Sequence, residues 1–432
     1  MQTLQTIAED KKPVETKASL SPNFSAYSNI TEQYASEAAF LWLLRSRALA
    51  STQYYTTDMI DIENRMEGNL QGLFSVGDIG WHACVEQLQF EEAGEVFVAS
   101  VIALRSRDAV RIKMVCELAL SSPEMLKGLI SALGWIELDI AKFWMQRFLT
   151  VTDPAYKTLG LAICSVRRIF PDKYLLAILQ DPATSGQASL HARALRLIGE
   201  LKRWELIPAL NAAMDANDTT VCFWANWSAA LLGNPAAIKN LKPWVLENTE
   251  LSEPAIKLVF SALSVNDARV WIAEMVKNPE MNRATIKAIA VLGDPQAIPW
   301  LIQLMANKEL ARLSGWAFSQ ITGVDLEKTN LITEQTDEIE TGPNDDPDDE
   351  NISMDEDEDY PWPDKNKVAR LWQVHSRILQ PGHRYFQGQE ITKQLLDSIY
   401  VNANQQQKGL AAIQRAIFDK HTALVNTKAR SL

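Results

Sequence analysis

Glycine closes one apolar helical run after another through the middle of this chain. The phrases RLIGELKR, ALLGNP and AVLGDP set Gly199, Gly233 and Gly293 at such ends, and SALGWIE and SQITGVD do the same for Gly134 and Gly323. Successive gaps are 65, 34, 60 and 30 residues. The long gaps are about twice the short ones, so two joints lack the glycine. Ser264 in SALSVND stands at one, and SVRRIFPD, residues 165–172, fills the other. The step is roughly 31 residues, in the range of two-helix repeats.

Each period divides alike. Ile298, Leu301, Ile302 and Met305 fall on one helical face, and Leu310, Leu313, Ala317 and Ile321 on the next; Leu190, Ala194, Leu197, Ile198 and Leu201 form another. No segment sustains the alternation of a strand. A lone pair of short helices cannot bury its apolar stripe, so pairs must lean on pairs. Glycine just past a helix adopts the left-handed conformation cheaply. Proline soon after cannot continue that helix, and Asp or Asn between them suits a turn or a new start. Pro208, Pro243 and Pro299 are expected one or two turns inside helices, each costing a hydrogen bond and bending its helix. A phosphate-cradling loop at Gly-Asp-Pro would need a preceding strand and further glycines. The expected fold class is all-α: a HEAT-like α-solenoid of stacked helix pairs with a small helical C-terminal module.

Charge divides the chain further. Of the net −12, residues 334–359 carry fourteen acidic and no basic side chains, while residues 360–432 carry eleven Lys/Arg against four Asp/Glu. The first 333 residues are left at −5. Five regions follow: a polar arm at 1–29, expected disordered; a helical cap at 30–79, with helices Thr31–Leu49 and a second ending near Gly72; repeats at 80–325; an acidic disordered linker at 326–359; and a basic helical module at 360–432. Asp355, Asp357 and Asp359 have the first spacings of a calcium loop, but Tyr360 and Asn366 stand where glycine and glutamate belong. A solvated tether is the expectation.

Several function classes lose support. No run of eighteen apolar residues suits a membrane-spanning helix. Cys84, Cys116, Cys164 and Cys222 lie far apart within apolar helical patterns, as reduced, buried cysteines of a cytoplasmic protein do. None of His82, His191, His375, His383 and His421 precedes a glutamate or has metal-ligand spacing. No catalytic residue, cofactor or metal is expected, and the reading is a non-enzymatic scaffold for a protein partner. Nucleic-acid binding is the alternative. A repeat protein that wraps nucleic acid needs a row of Lys/Arg at one position per repeat. Arg193 and Arg196 precede Gly199, but Trp227 and Ala230, Lys287 and Ala290, and Ala317 and Gln320 hold the same offsets at later joints. The basic module alone is left for that role. Aromatic residues serve binding hot spots and helix cores alike. Arg193, Arg196 and Trp227 are the candidate protein-binding residues, with Trp227 expected to be exposed.

The segments EQYASEAAFLW (32–42), ENRMEGNLQGL (63–73) with Gly80-Trp81, EAGEVF (92–97) and YPWPD with QPGHRYFQGQEIT in the tail resemble a bacterial family of HEAT-like repeat proteins often encoded beside type VI secretion genes. With the repeats between them, the resemblance covers nearly the whole chain. It implies a cytoplasmic accessory of that secretion apparatus and carries over no catalytic residue.

The fused charges generate one expectation. The acidic run competes for the basic module, so high salt should release the module. Small-angle scattering at low and high salt would register the release, and an unchanged profile counts against it.

Overall fold

Helix stripes written into the sequence become helices at nearly every expected place. The computed structural model describes residues 24–247, 249–333 and 355–431. The expected disorder at 1–23 and 334–354 lies outside them. The chain divides into two compact units, residues 1–225 with 423–432, and residues 226–422. The described residues are all-α apart from a two-residue hairpin and one isolated bridge. No described helix is long and apolar enough to cross a membrane.

The first unit opens with α1 (Phe24–Ala48), α2 (Thr56–Ser75) and α3 (Asp78–Gln87). Helix α1 begins six residues before the expected boundary at 30. Pairs follow: α4 (Ala93–Ser106) and α5 (Ala109–Leu120), α6 (Pro123–Trp135) and α7 (Leu138–Thr150), α8 (Pro154–Arg167) and α9 (Lys173–Gln180), α10 (Ala188–Glu200) and α11 (Ile207–Ala213). Side chains of Asp108, Ser122 and Asp153 accept from the first free amides of α5, α6 and α8, and proline leads α6 and α8. Helix α1 packs on α4, α4 on α6, α6 on α8 and α8 on α10. These inner helices meet protein on several sides, which is why Val96 to Leu104 of α4 are buried without a break. Phe97 sits between Trp42 and Trp135, at ring-centroid distances of 6.1 and 5.7 Å. Cys84, Cys116 and Cys164 are free and buried, and burial pushes each thiol up to about 12.

Helix α12 (Thr219–Leu231) crosses the division between the units. The second unit continues with α13 (Pro235–Asn240), α14 (Lys242–Leu246), α15 (Ser252–Ala262), α16 (Val265–Met275), α17 (Asn282–Leu292), α18 (Ile298–Leu304) and α19 (Lys308–Thr322). Helix α15 packs on α17, and α17 on α19. The C-terminal module comprises α20 (Lys365–His375), an antiparallel hairpin β1 (Tyr385–Phe386) and β2 (Gln389–Glu390), α21 (Lys393–Asn402) and α22 (Gln405–Phe418). It folds back on the repeats of its own unit, with α22 on α15, α20 on α18 and β1 on α19.

The joints divide into two kinds. Gly233, Gly293 and Gly323 take positive φ, as expected. Gly134 and Gly199 instead lie inside α6 and α10. Those helices run on, α10 as far as Glu200, and the left-handed residue after it is Lys202. Arg168 takes the left-handed position in SVRRIFPD, and Ser264 opens α16 by accepting from the Asp267 amide. The prolines also differ from expectation. Pro208, Pro243 and Pro299 are each second in a short helix, where no intrahelical partner for an amide is lost. Two of those helices follow a 3₁₀ turn, so the chain breaks the helix ahead of the proline rather than bending it.

The acidic run, where described, is not a solvated tether. Asp355 pairs with Arg312 of α19, and Asp357 with Arg283 of α17 at 2.8 Å. Arginines of the repeats, rather than the basic module, take these charges. Asp355 and Asp357 face guanidinium groups, which a calcium loop would exclude.

Gly293 and Gly233 separate two demands on a joint. A methyl at Gly293 would stand 2.2 Å from the Tyr385 carbonyl oxygen, whereas at Gly233 nothing lies within 4 Å. Gly233→Ala should cost about 1 kcal/mol, the left-handed penalty alone. Gly293→Ala must also displace the hairpin and should cost about 3 kcal/mol or more. Urea midpoints of the two variants check the difference, and equal losses would refute the clash.

Candidate functional site

Helix α2 carries an anomaly on its apolar face. Met59, Ile62, Met66, Leu70 and Leu73 form the stripe, and Glu63 and Glu67 are buried within it. Carboxylates in such positions need charged and hydrogen-bonding partners. Arg45 Nε donates to Glu63 Oε1 at 2.8 Å. Arg105 Nη2 and Trp135 Nε1 donate to Glu67 at 2.9 and 2.7 Å, and Arg105 also pairs with Glu137. A third buried carboxylate, Glu200, ends α10. Arg196 and Arg168 pair with it at 2.9 and 3.1 Å, and the Ser165 hydroxyl donates to it.

These groups follow one line in the first unit. Arg45 and Arg105 lie in the last turns of α1 and α4, Trp135 ends α6, Arg168 caps α8, and Glu200 ends α10. Cations suit helix C-termini, where the unpaired carbonyls concentrate negative charge. Arg167 does so directly, donating to the Leu133 carbonyl in the last turn of α6 and to the Ile136 carbonyl just past it.

Residues 423–431 lie along that line as an irregular segment with one turn. The Leu424 amide donates to the Glu200 carbonyl at 2.8 Å, and Arg168 Nε donates to the Leu424 carbonyl. Asn426 Nδ2 donates to the Val166 carbonyl at 2.8 Å. Arg45 Nη2 donates to the carbonyls of Lys428 and Ala429 at 3.1 and 3.0 Å. The Arg430 guanidinium lies over the Trp135 ring, 4.5 Å from its centroid, and pairs with Glu67 at 3.4 Å. The Ser431 amide donates to Glu63 Oε2 at 2.7 Å. The charged line is therefore a groove, and a peptide occupies it.

Of the expected binding residues, Arg196 belongs to this groove: it pairs with Glu200 and lies over Trp224 at 4.3 Å. Arg193 is close by, but burial, with Arg196 next to it, holds its guanidinium down to about 10, and its buried Nε has no partner among the described residues. Trp227 corrects the expectation. It is 4% exposed, because α12 also buries Val221, Phe223 and Ala225 and needs a large core filler there. Arg45, Glu63, Glu67, Trp135 and Glu200 were missed from sequence. Carboxylates at core positions of the α2 stripe were the readable signal. Arg45, Arg105 and Arg168 all lie ahead of the joint at Gly199 and share no fixed offset from the glycines that follow.

The remaining chemistry is dispersed. Among the described residues no group of three His, Cys, Asp or Glu side chains is placed to hold a metal. In the second unit a cleft of about 540 Å³ is bordered by Leu263, His383, Arg384 and Phe418. His383 there pairs with Glu390 at 2.8 Å, and Arg384 donates to the Ser261 and Leu263 carbonyls.

Glu200 gives the groove a pH signature. Burial works to raise its carboxyl, but Arg196, Arg168 and Arg193 together with the Ser165 hydroxyl outweigh it and hold the group down at about 2. A folded value below the unfolded one stabilises above the unfolded value and is lost as pH falls through the folded value. Stability should therefore decline from about pH 4.5 toward pH 2. Glu200→Gln should start less stable and show a shallower decline in that window, measured as thermal midpoints. An unchanged slope would remove Glu200 as the cause.

No family model matches the chain, and no curated protein matches it. Among solved structures, a crystal structure of an engineered protein from a structural genomics consortium is similar over 94% of this chain and 97% of its own, at 13% identity and a TM-score of 0.29. That likeness is too weak to carry fold or function.

Proposed function

We propose that the chain is a non-enzymatic protein-binding scaffold, a HEAT-like array whose first unit holds an extended segment of its partner across successive helix ends. One observation supports this reading above the others: buried ion pairs hold a peptide by its backbone. Such pairs are costly and seldom add stability over apolar packing. Their retention along one groove suits recognition better than folding. Backbone carbonyls and amides accept and donate there regardless of side chain, while Arg430 and Asn426 add side-chain selection.

On the family resemblance, the partner is a component of a bacterial type VI secretion apparatus and the site of action is the cytoplasm. Internal pairing of some of the C-terminal module's cations counts against the nucleic-acid alternative. Arg415 pairs with Asp397, Arg384 caps helix carbonyls, and Lys367 donates to the Ile332 carbonyl.

Reversing charge within the groove tests the proposal. Tagged chain should retain a partner from native cells, with crosslinks to residues near Arg45 or Arg196. Glu67→Lys should lose that partner while keeping its circular dichroism spectrum. Undiminished capture by folded Glu67→Lys would place the binding surface elsewhere.

A further inference from the structure

The segment in the groove is a ligand tied to its own receptor. We infer that residues 423–431 occupy the site in cis, and that the partner displaces them with a segment of the same chemistry: an apolar residue, asparagine two positions on, and arginine four positions after that. The inference rests on the scaffold reading above and names both its ligand class and its regulation.

Three observations carry it. First, the hold is narrow. Of residues 423–431 only Leu424 is buried, and Lys428 and Ala429 are exposed. A segment with so little buried apolar surface belongs to the low-stability end of a fold, which opens locally. Second, the groove stays electrically satisfied without the segment. Arg45 keeps Glu63, Arg105 keeps Glu67 and Glu137, and Arg168 and Arg196 keep Glu200. Departure of the segment leaves no buried charge alone. Third, the anchors are specific. Leu424 supplies the apolar contact, the Asn426 amide reads the Val166 carbonyl and turns the chain by accepting from Lys428 N, and Arg430 fits between the Trp135 ring and Glu67. Asparagine and arginine at 426 and 430 supply polar side-chain contacts, and the Ser431 hydroxyl adds a longer one to Glu63 at 3.5 Å. Between them the Lys428 and Ala429 carbonyls accept from Arg45, a contact that any residue offers.

The test uses a labelled peptide of residues 422–431 added to full-length chains. In the unaltered chain the tethered copy competes; in Arg430→Ala that copy is weakened. The peptide should bind Arg430→Ala about fivefold tighter than the unaltered chain, and at most about tenfold, if the tethered copy fills about nine sites in ten and the substitution weakens it about tenfold. A peptide carrying Arg430→Ala should itself bind about tenfold weaker, as joint loss of the Glu67 ion pair and the cation–π contact with Trp135 implies. If folded Arg430→Ala binds no peptide, or binds it no tighter than the unaltered chain, the inference falls. Hydrogen exchange on the unaltered chain avoids any folding defect. Excess peptide should speed exchange at the Leu424 and Ser431 amides, and constant protection overturns displacement. Loss of partner capture by Glu67→Lys without any peptide effect would keep the scaffold and discard the tethered ligand; undiminished capture would discard the groove itself.

Discussion

Carbonyl groups at the ends of inner helices have no partner within their own helix. Much of the way the C-terminal residues pack answers to that shortage. Within each unit the helices pack every second one, so such ends recur. Water can satisfy them only at the surface, and here many are covered. In the second unit the coverage comes from the C-terminal module. Arg384 donates to the end of α15, the Gln414 side chain and the Tyr385 amide to the end of α17, and the Gln387 and Gly388 amides to the end of α19. In the first unit the repeats' own arginines and the chain's last residues perform the same work. The final seventy or so residues are thus less an appended domain than a supply of donors.

How much of this could be read beforehand depends on the range of the interaction. The helix pairs follow from local periodicity, and Ile298, Leu301, Ile302 and Met305 are all buried as their spacing implies. Gly233, Gly293 and Gly323 close helices because the turn itself demands positive φ. Gly134 and Gly199 look identical in sequence, yet continue their helices, because tertiary needs at Trp135 and Glu200 extend each helix past the glycine. The groove was hidden for a different reason. Arg45 meets residues more than 380 positions away, and no local pattern links them. Glu63 and Glu67 interrupt an apolar stripe, which marks them as unusual without naming their partners.

Charge composition misled where it was averaged. An acidic run beside a basic module invites the idea that they neutralise each other. Asp355 and Asp357 instead find Arg312 and Arg283, and the module's Arg415 finds Asp397 inside the module. Pair geometry, not net charge, decides such matches, since a guanidinium held near a carboxylate by packing loses little entropy on pairing. Trp227 teaches the same about aromatic residues: its neighbours on α12, rather than its offset from a joint, determine that it is core.

The hairpin at 385–390 has a bearing on how this array can evolve. Its backbone binds Gly293 at one joint and Gln320 and Ile321 at the next, with no more than a few residues between the two attachments. Repeat arrays commonly lengthen or shorten by duplicating or deleting whole modules. A module inserted between those joints would pull the attachments apart beyond the reach of a tight turn, and a deletion would merge them. The hairpin therefore acts as a gauge that fixes the copy number at that place.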